Sequence, residues 1–184
     1  MKAQIDQTIM NTAVETMEKL AFLFSFPDEE RMDAFPGPAI AAKVGFNGLF
    51  SGSLALRMSS SVLAELAVNM LGLNDEEETN LELHLDAFKE MVNVICGNLL
   101  PALAGSEAEF SIEAPQIIAD DGDNDTIDFQ QAASIVRLML DDGYCDLIFF
   151  INGKIPEDIF SNAPGRFQHP DESRMNYDQS TCRR

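Results

Sequence analysis

The spacing of apolar residues switches from a helical to an alternating pattern twice along the chain, and this limits the folds available. Over residues 4–25 apolar side chains recur every three or four positions, which predicts an amphipathic helix. Over 39–58 they alternate on both sides of Asn47-Gly48, which predicts a β-hairpin with its turn at that pair. A short helix is predicted next, over 60–71, closed by Gly72.

The second cycle begins with a long helix, which is predicted to start near Glu76 or Asn80 and to end at Ala104 before Gly105. Alternating segments then predict strands over 108–119, 128–140 and 144–151. Helix-then-hairpin order in both halves indicates a duplication. The predicted fold class is therefore α+β, with duplicated helix–hairpin halves and an antiparallel sheet packed against long helices.

The two ends of the chain differ in composition. Residues 1–155 contain enough apolar side chains for one domain with its own core. Residues 156–184 contain neither Leu nor Val and are dominated by small, polar and charged residues, so we expect a mobile polar tail. The N-terminus has acidic residues where a signal peptide would be apolar, and we expect a cytoplasmic protein.

The chain is strongly acidic, with a formal net charge of -19. Proteins that bind nucleic acid or anionic membranes concentrate Lys and Arg on the binding surface, so neither partner is expected. Acidity serves solubility in most proteins, and it would also steer the chain toward a basic patch or a metal on a partner.

Signatures of cofactor enzymes and metal sites are missing from the sequence. Cys96, Cys145 and Cys182 form no CxxC pair, and His84 and His169 are far apart. No glycine-rich nucleotide motif and no G-x-S-x-G motif occurs. The acidic loop 120–125 resembles the start of a calcium loop, but Thr126 stands at the sixth position where Gly is required and Ala132 at the twelfth where Glu is required. We therefore predict no metal and no cofactor of the protein's own.

The predicted long helix carries polar residues on one side. At 100° per residue, Asp86, Glu90, Asn93 and Gly97 fall within an arc of about 60°. The apolar residues of the same segment fall on the opposite side: Phe88, Met91, Val92, Ile95 and Leu99. We expect the apolar stripe to be core and the polar stripe to be exposed.

An exposed polar stripe is usually only a solvated helix face. Here Asn93 and Gly97 are poor helix formers, which indicates a packing or functional reason for them. A carboxylate and an amide without an adjacent nucleophile can position a water or dock a protein. The stripe could also contribute ligands to a metal, but one helix face seldom completes a metal shell.

Asp86-x3-Glu90-x2-Asn93, followed by Gly97-Asn98 and later by Pro115, resembles the signature of the CheC/CheX family of chemotaxis phosphatases. The order of helices and strands over residues 1–153 is similar as well. The resemblance implies action on a phosphorylated CheY-like response regulator and a homodimer formed through the sheets.

The resemblance also implies roles for single residues. Glu90 would contact the regulator's active-site Lys, and Asn93 would align a water for attack on the phosphoaspartate. Asp86 would lie at the edge of the contact, and Pro115 would shape the strand entry beside the helix. Independently of the resemblance, the missing side chain at Gly97 would let another backbone come close. The Mg²⁺ would belong to the regulator.

One departure from the family pattern separates the two halves. CheC-type members carry an acid-x2-Asn site in both, whereas the first half here reads Glu15-x2-Glu18. Glu cannot donate the hydrogen bond that Asn donates, and a second anion would repel phosphate. We expect one site per chain, which resembles the CheX branch.

Two alternatives to a phosphatase stay open. The same face could belong to a non-catalytic module that docks on a receiver domain or a flagellar-switch component. A stand-alone enzyme for a small molecule is the third hypothesis, although no nucleophile constellation supports it.

Overall fold

The computed structural model of the chain describes residues 2–31, 35–73, 79–118 and 127–153. Its helices are α1 (Lys2–Ala21), α2 (Leu63–Leu71) and α3 (Leu81–Ala104), with single 3-10 turns at Ser60–Val62 and Phe129–Gln131. Its strands are β1 (Ser25–Pro27), β2 (Ala39–Gly48), β3 (Ser51–Ser59), β4 (Phe110–Ile112), β5 (Gln116–Ile118), β6 (Ser134–Leu140) and β7 (Gly143–Asn152). The expected tail over 156–184 and the acidic loop over 120–125 lie outside the described residues.

All strands join one antiparallel sheet in the order β1-β6-β7-β3-β2, and β4 and β5 both pair with the far edge of β2. The hairpins β2–β3 and β6–β7 meet in the middle, where Leu54 of β3 lies opposite Phe149 of β7. The predicted α+β class with an antiparallel sheet is confirmed. The duplication of the two halves stays a prediction.

The three helices cover one face of this sheet. α3 packs against α1, α2 and the strands, and the side chains between them form one continuous core. Its largest fully buried members come from the sheet and from all three helices: Ile9 and Met17 of α1, Leu54, Leu56 and Met58 of β3, Leu66 of α2, Phe88, Met91, Ile95, Leu99 and Leu100 of α3, and Phe149 of β7. This apolar burial is the main force that holds α3 in place.

Residues 28–31, which follow β1, reach the opposite face of the sheet at Arg31. Asp146 alternates with the core residues Cys145 and Leu147, so its side chain points away from the helices. There it pairs with Arg31, which also donates from Nε to Asp28 Oδ2 at 2.8 Å. Both members of the Arg31–Asp146 pair are almost fully buried. The pair therefore ties this segment to the sheet.

The first helix is shorter than predicted. It ends at Ala21, and Phe22 takes a left-handed φ of 53°. Ser25–Pro27 then pairs with β6, although the periodic pattern had placed Phe24 within the helix. Pairing with a distant strand overrides local periodicity here, and Pro27 does not fit a helix interior.

The hairpin turn is also displaced from its predicted position. Asn47 and Gly48 belong to β2, and the chain reverses at Leu49-Phe50 instead. β2 extends this far because residues 46–48 pair on their other side with β4. That second partner is distant in sequence, so local turn preference could not reveal it.

Other strands are shorter or interrupted. The predicted strand 108–119 is divided into β4 and β5 by residues 113–115, and 128–133 holds a 3-10 turn where strand was expected. The predicted long helix and the left-handed Gly72 after α2 are confirmed. Within the described ranges, no helix is long and apolar enough to cross a membrane.

Gly52 allows a close approach between β3 and β7. A Cβ at this position would collide with the backbone carbonyl oxygen of Phe150 and press on the Phe46 ring. We therefore expect Gly52→Ala to lower the free energy of unfolding by about 2 kcal/mol, because neither backbone can move without breaking ladder bonds. Urea denaturation measures this change. An unchanged midpoint would contradict the close packing.

Candidate functional site

α3 is defined at both ends by capping residues. Asn80 Oδ1 accepts a hydrogen bond from the Leu83 N–H at 3.0 Å, which satisfies one of the free donors of the first turn. Gly105 ends the helix with a φ of 90°. Pro101 lies inside the last turns and has no N–H, so the usual helical bond to the Gly97 carbonyl cannot form. These features fix the length and ends of the helix.

The core-facing side of α3 agrees with the prediction. All five residues of the predicted apolar stripe are buried, together with four further residues: Ala87, Cys96, Leu100 and Leu103. Because this side is held by the sheet and by α1, the opposite side has a fixed orientation toward solvent.

The opposite side presents the predicted acid–amide face, which we define as Asp86, Glu90, Asn93 and Gly97. Asp86 and Glu90 are exposed, whereas Asn93 and Gly97 are half-buried. Asn93 Nδ2 donates to Glu90 Oε2 at 3.5 Å, so the amide and the carboxylate are side by side. The structure therefore places these four residues on one side of α3, of which Asp86 and Glu90 form the exposed part and Asn93 and Gly97 the half-buried part.

Lys89 is part of the same surface and was missed by the sequence reasoning. Its Nζ lies 2.6 Å from Asp86 Oδ1, and both side chains are open to solvent. The i,i+3 spacing on a helix was the available signal for this pair. This ion pair reduces the negative charge at the Asp86 end of the acid–amide face. Among the described residues, Glu90 is then the exposed carboxylate of the face that has no ion-pair partner.

Gly97 leaves space at the other end of the face. Among the described residues, a Cβ added there would meet only the Ile112 side chain, at 3.9 Å, which is ordinary contact distance. Ile112 belongs to β4, and both β4 and β5 contact α3. Pro115 lies directly before β5 at this edge of the sheet. Packing within the chain therefore does not require a glycine at this position.

The nearest thiol takes no part in the chemistry of this face. Cys96 points into the core, and burial raises the pKa of its thiol to about 12. A thiol in this state is protonated at neutral pH and is no nucleophile. The chemistry available at the face is therefore hydrogen bonding by an amide, charge pairing by a carboxylate and orientation of water.

The corresponding surface of α1 has a different character. Glu15 is paired with Lys19 at 3.0 Å, and Glu18 is exposed. Asn98 of α3 uses its amide to donate to Thr16 Oγ1 at 3.1 Å, so this amide joins the two helices. The acid–amide combination thus occurs on α3 and not at the matching positions of α1.

Comparison with known proteins gives the family. The family model described as chemotaxis phosphatase CheX matches residues 40–138, and no curated protein matches the chain. A chemotaxis protein CheX from Desulfovibrio desulfuricans is 18% identical and has a TM-score of 0.62, covering 81% of this chain and 99% of that one. CheX from Vibrio vulnificus is 17% identical with the same TM-score, covering 83% and 99%.

A third similar structure is the CheX–CheY–BeF₃–Mg²⁺ complex from Borrelia burgdorferi. It is 20% identical, has a TM-score of 0.56 and covers 80% of this chain and 97% of that one. At these identities the structures establish a shared fold, and the family model establishes membership over more than half of the sequence. The chain therefore belongs to the CheX family of chemotaxis phosphatases.

Proposed function

We propose that this protein removes the phosphoryl group from the phosphoaspartate of a CheY-like response regulator, with the acid–amide face of α3 as its active surface. The observation that supports this most directly is the Glu90–Asn93 pair, exposed on a helix whose other side is held in the core. A rigid helix presents the pair as a preformed unit, so little ordering is needed on docking.

Asn93 is the proposed catalytic residue. Its amide can donate a hydrogen bond and accept another at the same time, so it can hold a water in line with the scissile P–O bond. Phosphoryl transfer depends mainly on such positioning and on charge stabilisation. Glu90 is proposed to form an ion pair with the regulator's Lys. This ion pair would hold the Asn93 amide beside the phosphoryl group. The regulator's own Mg²⁺ and Lys would supply charge stabilisation for the transferred group, so the proposal requires no metal from this chain.

Asp86 and Lys89 are proposed to border this contact. Their mutual ion pair keeps Asp86 from adding full negative charge beside the phosphoryl group. Glu90 is then the carboxylate that is available to the partner. Two expectations from the sequence accompany the proposal: a homodimer, and a cytoplasmic location, which suits a regulator as partner.

The test is an assay of dephosphorylation. A CheY-like receiver is phosphorylated with a small phosphodonor, the donor is removed, and loss of phosphoreceiver is followed with and without this protein. Faster loss at substoichiometric protein supports the proposal. Binding to the receiver without acceleration would instead identify a non-catalytic docking module, and hydrolysis of a small phosphoester without a receiver would identify a stand-alone enzyme.

Gly97 allows a test that separates docking from folding. Because a Cβ fits at this position, Gly97→Ala should raise the free energy of unfolding by about 0.5–1 kcal/mol through higher helix propensity. If the receiver approaches the backbone here, the same variant should bind the phosphoreceiver about tenfold more weakly, which is about 1.4 kcal/mol. Unchanged affinity in the stabilised variant would show that the partner does not contact Gly97.

A further inference from the structure

A second exposed surface lies at the end of α1, on the side chains of Phe22, Phe24, Phe26 and Met139, which we call the aromatic patch. These side chains are 67%, 52%, 55% and 46% exposed. Phe26 and Met139 are directly opposite each other across β1 and β6, so they share one face of the sheet. Exposed large apolar side chains are ordinary when scattered, but a contiguous group indicates an interaction surface.

The backbone maintains this exposure at an energetic cost. Phe22 has a φ of 53°, a left-handed conformation that favours glycine and is unfavourable for a bulky side chain. The turn is held by bonds from the Phe22 and Leu23 N–H groups to carbonyls of α1 and by Asn69 Nδ2, which donates to the Ala21 carbonyl at 2.7 Å. A glycine would relieve the strain, so folding does not account for an aromatic residue at this position.

Acidic side chains lie beside the part of the aromatic patch that is formed by Phe22 and Phe24. Phe22 and Phe24 line a shallow depression together with Glu65, Asp141 and Asp142, which we call the acidic rim. Ser61 Oγ donates to the Asp142 carbonyl at 3.0 Å and thereby holds the turn that carries two of these carboxylates. Glu29 and Glu30 follow the C-terminal end of β1 and are exposed as well. Arg137 is the basic residue of β6, two positions before Met139, and its charge acts on Asp146, which lies opposite it on β7.

The composition of the surface determines which occupant fits. An anionic lipid surface would be repelled by the acidic rim. A second copy would bring the same rim against itself in a chain of net charge -19. Addition of a strand to the free side of β1 is blocked in part by Pro27, which has no N–H to donate. A segment with apolar side chains and flanking Lys or Arg fits this surface, because the apolar side chains can cover the aromatic patch and the basic side chains can pair with the acidic rim.

We propose that the aromatic patch and the acidic rim form a docking site for a basic amphipathic segment of another protein, in which apolar side chains cover the phenylalanines and Lys or Arg side chains pair with the rim. The surface shares no residue with the acid–amide face. It would therefore serve to recruit or localise the protein, and the proposal stands independently of the proposed phosphatase activity.

The test uses the full chain and a defined probe. The probe is a fluorescein-labelled 18-residue helical peptide of Leu and Lys with an apolar stripe, and the matched control peptide carries Glu in place of Lys. Fluorescence anisotropy should give saturable binding of the Lys peptide that weakens with salt, and no binding of the Glu peptide.

Matched variants show whether the peptide binds at the proposed surface. Phe24→Ser with Phe26→Ser should weaken binding about tenfold, whereas Leu49→Ser with Leu81→Ser removes similarly exposed apolar side chains elsewhere and should change it less than about twofold. Asp141→Asn with Asp142→Asn should weaken binding about three- to fivefold, and Glu82→Gln with Glu107→Gln should not.

Phe22→Gly separates recognition from folding. It should weaken binding while the melting temperature is unchanged or higher, because the strained backbone is relieved. Equal weakening by the Phe and Leu pairs, or equal binding of the Glu peptide, would overturn the proposal. So would a wild-type dimer that Phe24→Ser with Phe26→Ser converts to a monomer, because the occupant would then be a second copy.

Discussion

Asn93→Ala is expected to reduce the acceleration of receiver dephosphorylation about 100-fold while affinity for the phosphoreceiver changes little. The reason is that the amide is proposed to orient the attacking water, and loss of one positioned group at a reacting centre typically costs factors of this size. Asn93 is half-buried on a helix whose core side is untouched, so the fold should be retained. The decay rate of a phosphorylated CheY-like receiver measures the effect.

Two control variants on the same helix make this result specific. Asn98→Ala removes an amide that joins α3 to Thr16, so it should cost about 1 kcal/mol of stability and leave the rate unchanged. Glu90→Gln should mainly weaken binding, because it removes the charge proposed to pair with the regulator's Lys. If folded Asn93→Ala and Glu90→Ala both retain the wild-type rate, the proposed active surface is wrong.

Asp146→Ala is expected to lower the free energy of unfolding by about 3 kcal/mol, the largest effect on stability that we foresee for one residue. The substitution leaves the Arg31 guanidinium buried, with Asp28 as its one remaining carboxylate partner among the described residues. Burial raises the pKa of Asp146, although Arg31, Arg137 and Arg57 act in the opposite direction. The ion pair is therefore costly to form and more costly to break. Urea denaturation at neutral pH provides the measurement.

Two control variants test whether the loss comes from leaving a buried charge without its partner. Replacing both partners, Arg31→Met with Asp146→Leu, should cost much less than Asp146→Ala, because no unpaired charge remains buried. Asp86→Ala breaks an exposed ion pair of α3 and should change stability by less than about 1 kcal/mol. Equal losses for Asp146→Ala and Asp86→Ala would mean that the Arg31 segment is not anchored to the sheet through this pair.

The acid–amide face was predictable because helical geometry is local. The relation between Glu90 and Asn93 depends only on their spacing within a helix, and the apolar residues between them determine which side is buried. The cap at Asn80 and the left-handed Gly72 follow from equally local chemistry. The Asp86–Lys89 pair was available from the same geometry, at i,i+3 spacing.

Features that depend on distant partners were not predictable in this way. β1 becomes a strand because β6 lies beside it, and Asn47-Gly48 stays within β2 because β4 pairs with it. The exposure of Phe24 likewise follows from where α1 ends, whereas the helical pattern had placed this residue on the buried stripe. In each case a tertiary contact outweighs a local preference of a few tenths to 1 kcal/mol.

The sequence by itself determined the class of fold, the helix that carries the candidate site, and the side of that helix on which Asp86, Glu90, Asn93 and Gly97 lie. Tertiary structure alone decided the order of strands, the buried Arg31–Asp146 pair and the aromatic patch. The physical reason is the range of the interactions. Helix periodicity and capping act over a few residues. The β2–β4 pairing joins Phe46 to Ile112, which are 66 residues apart, and the buried ion pair joins Arg31 to Asp146, which are 115 residues apart.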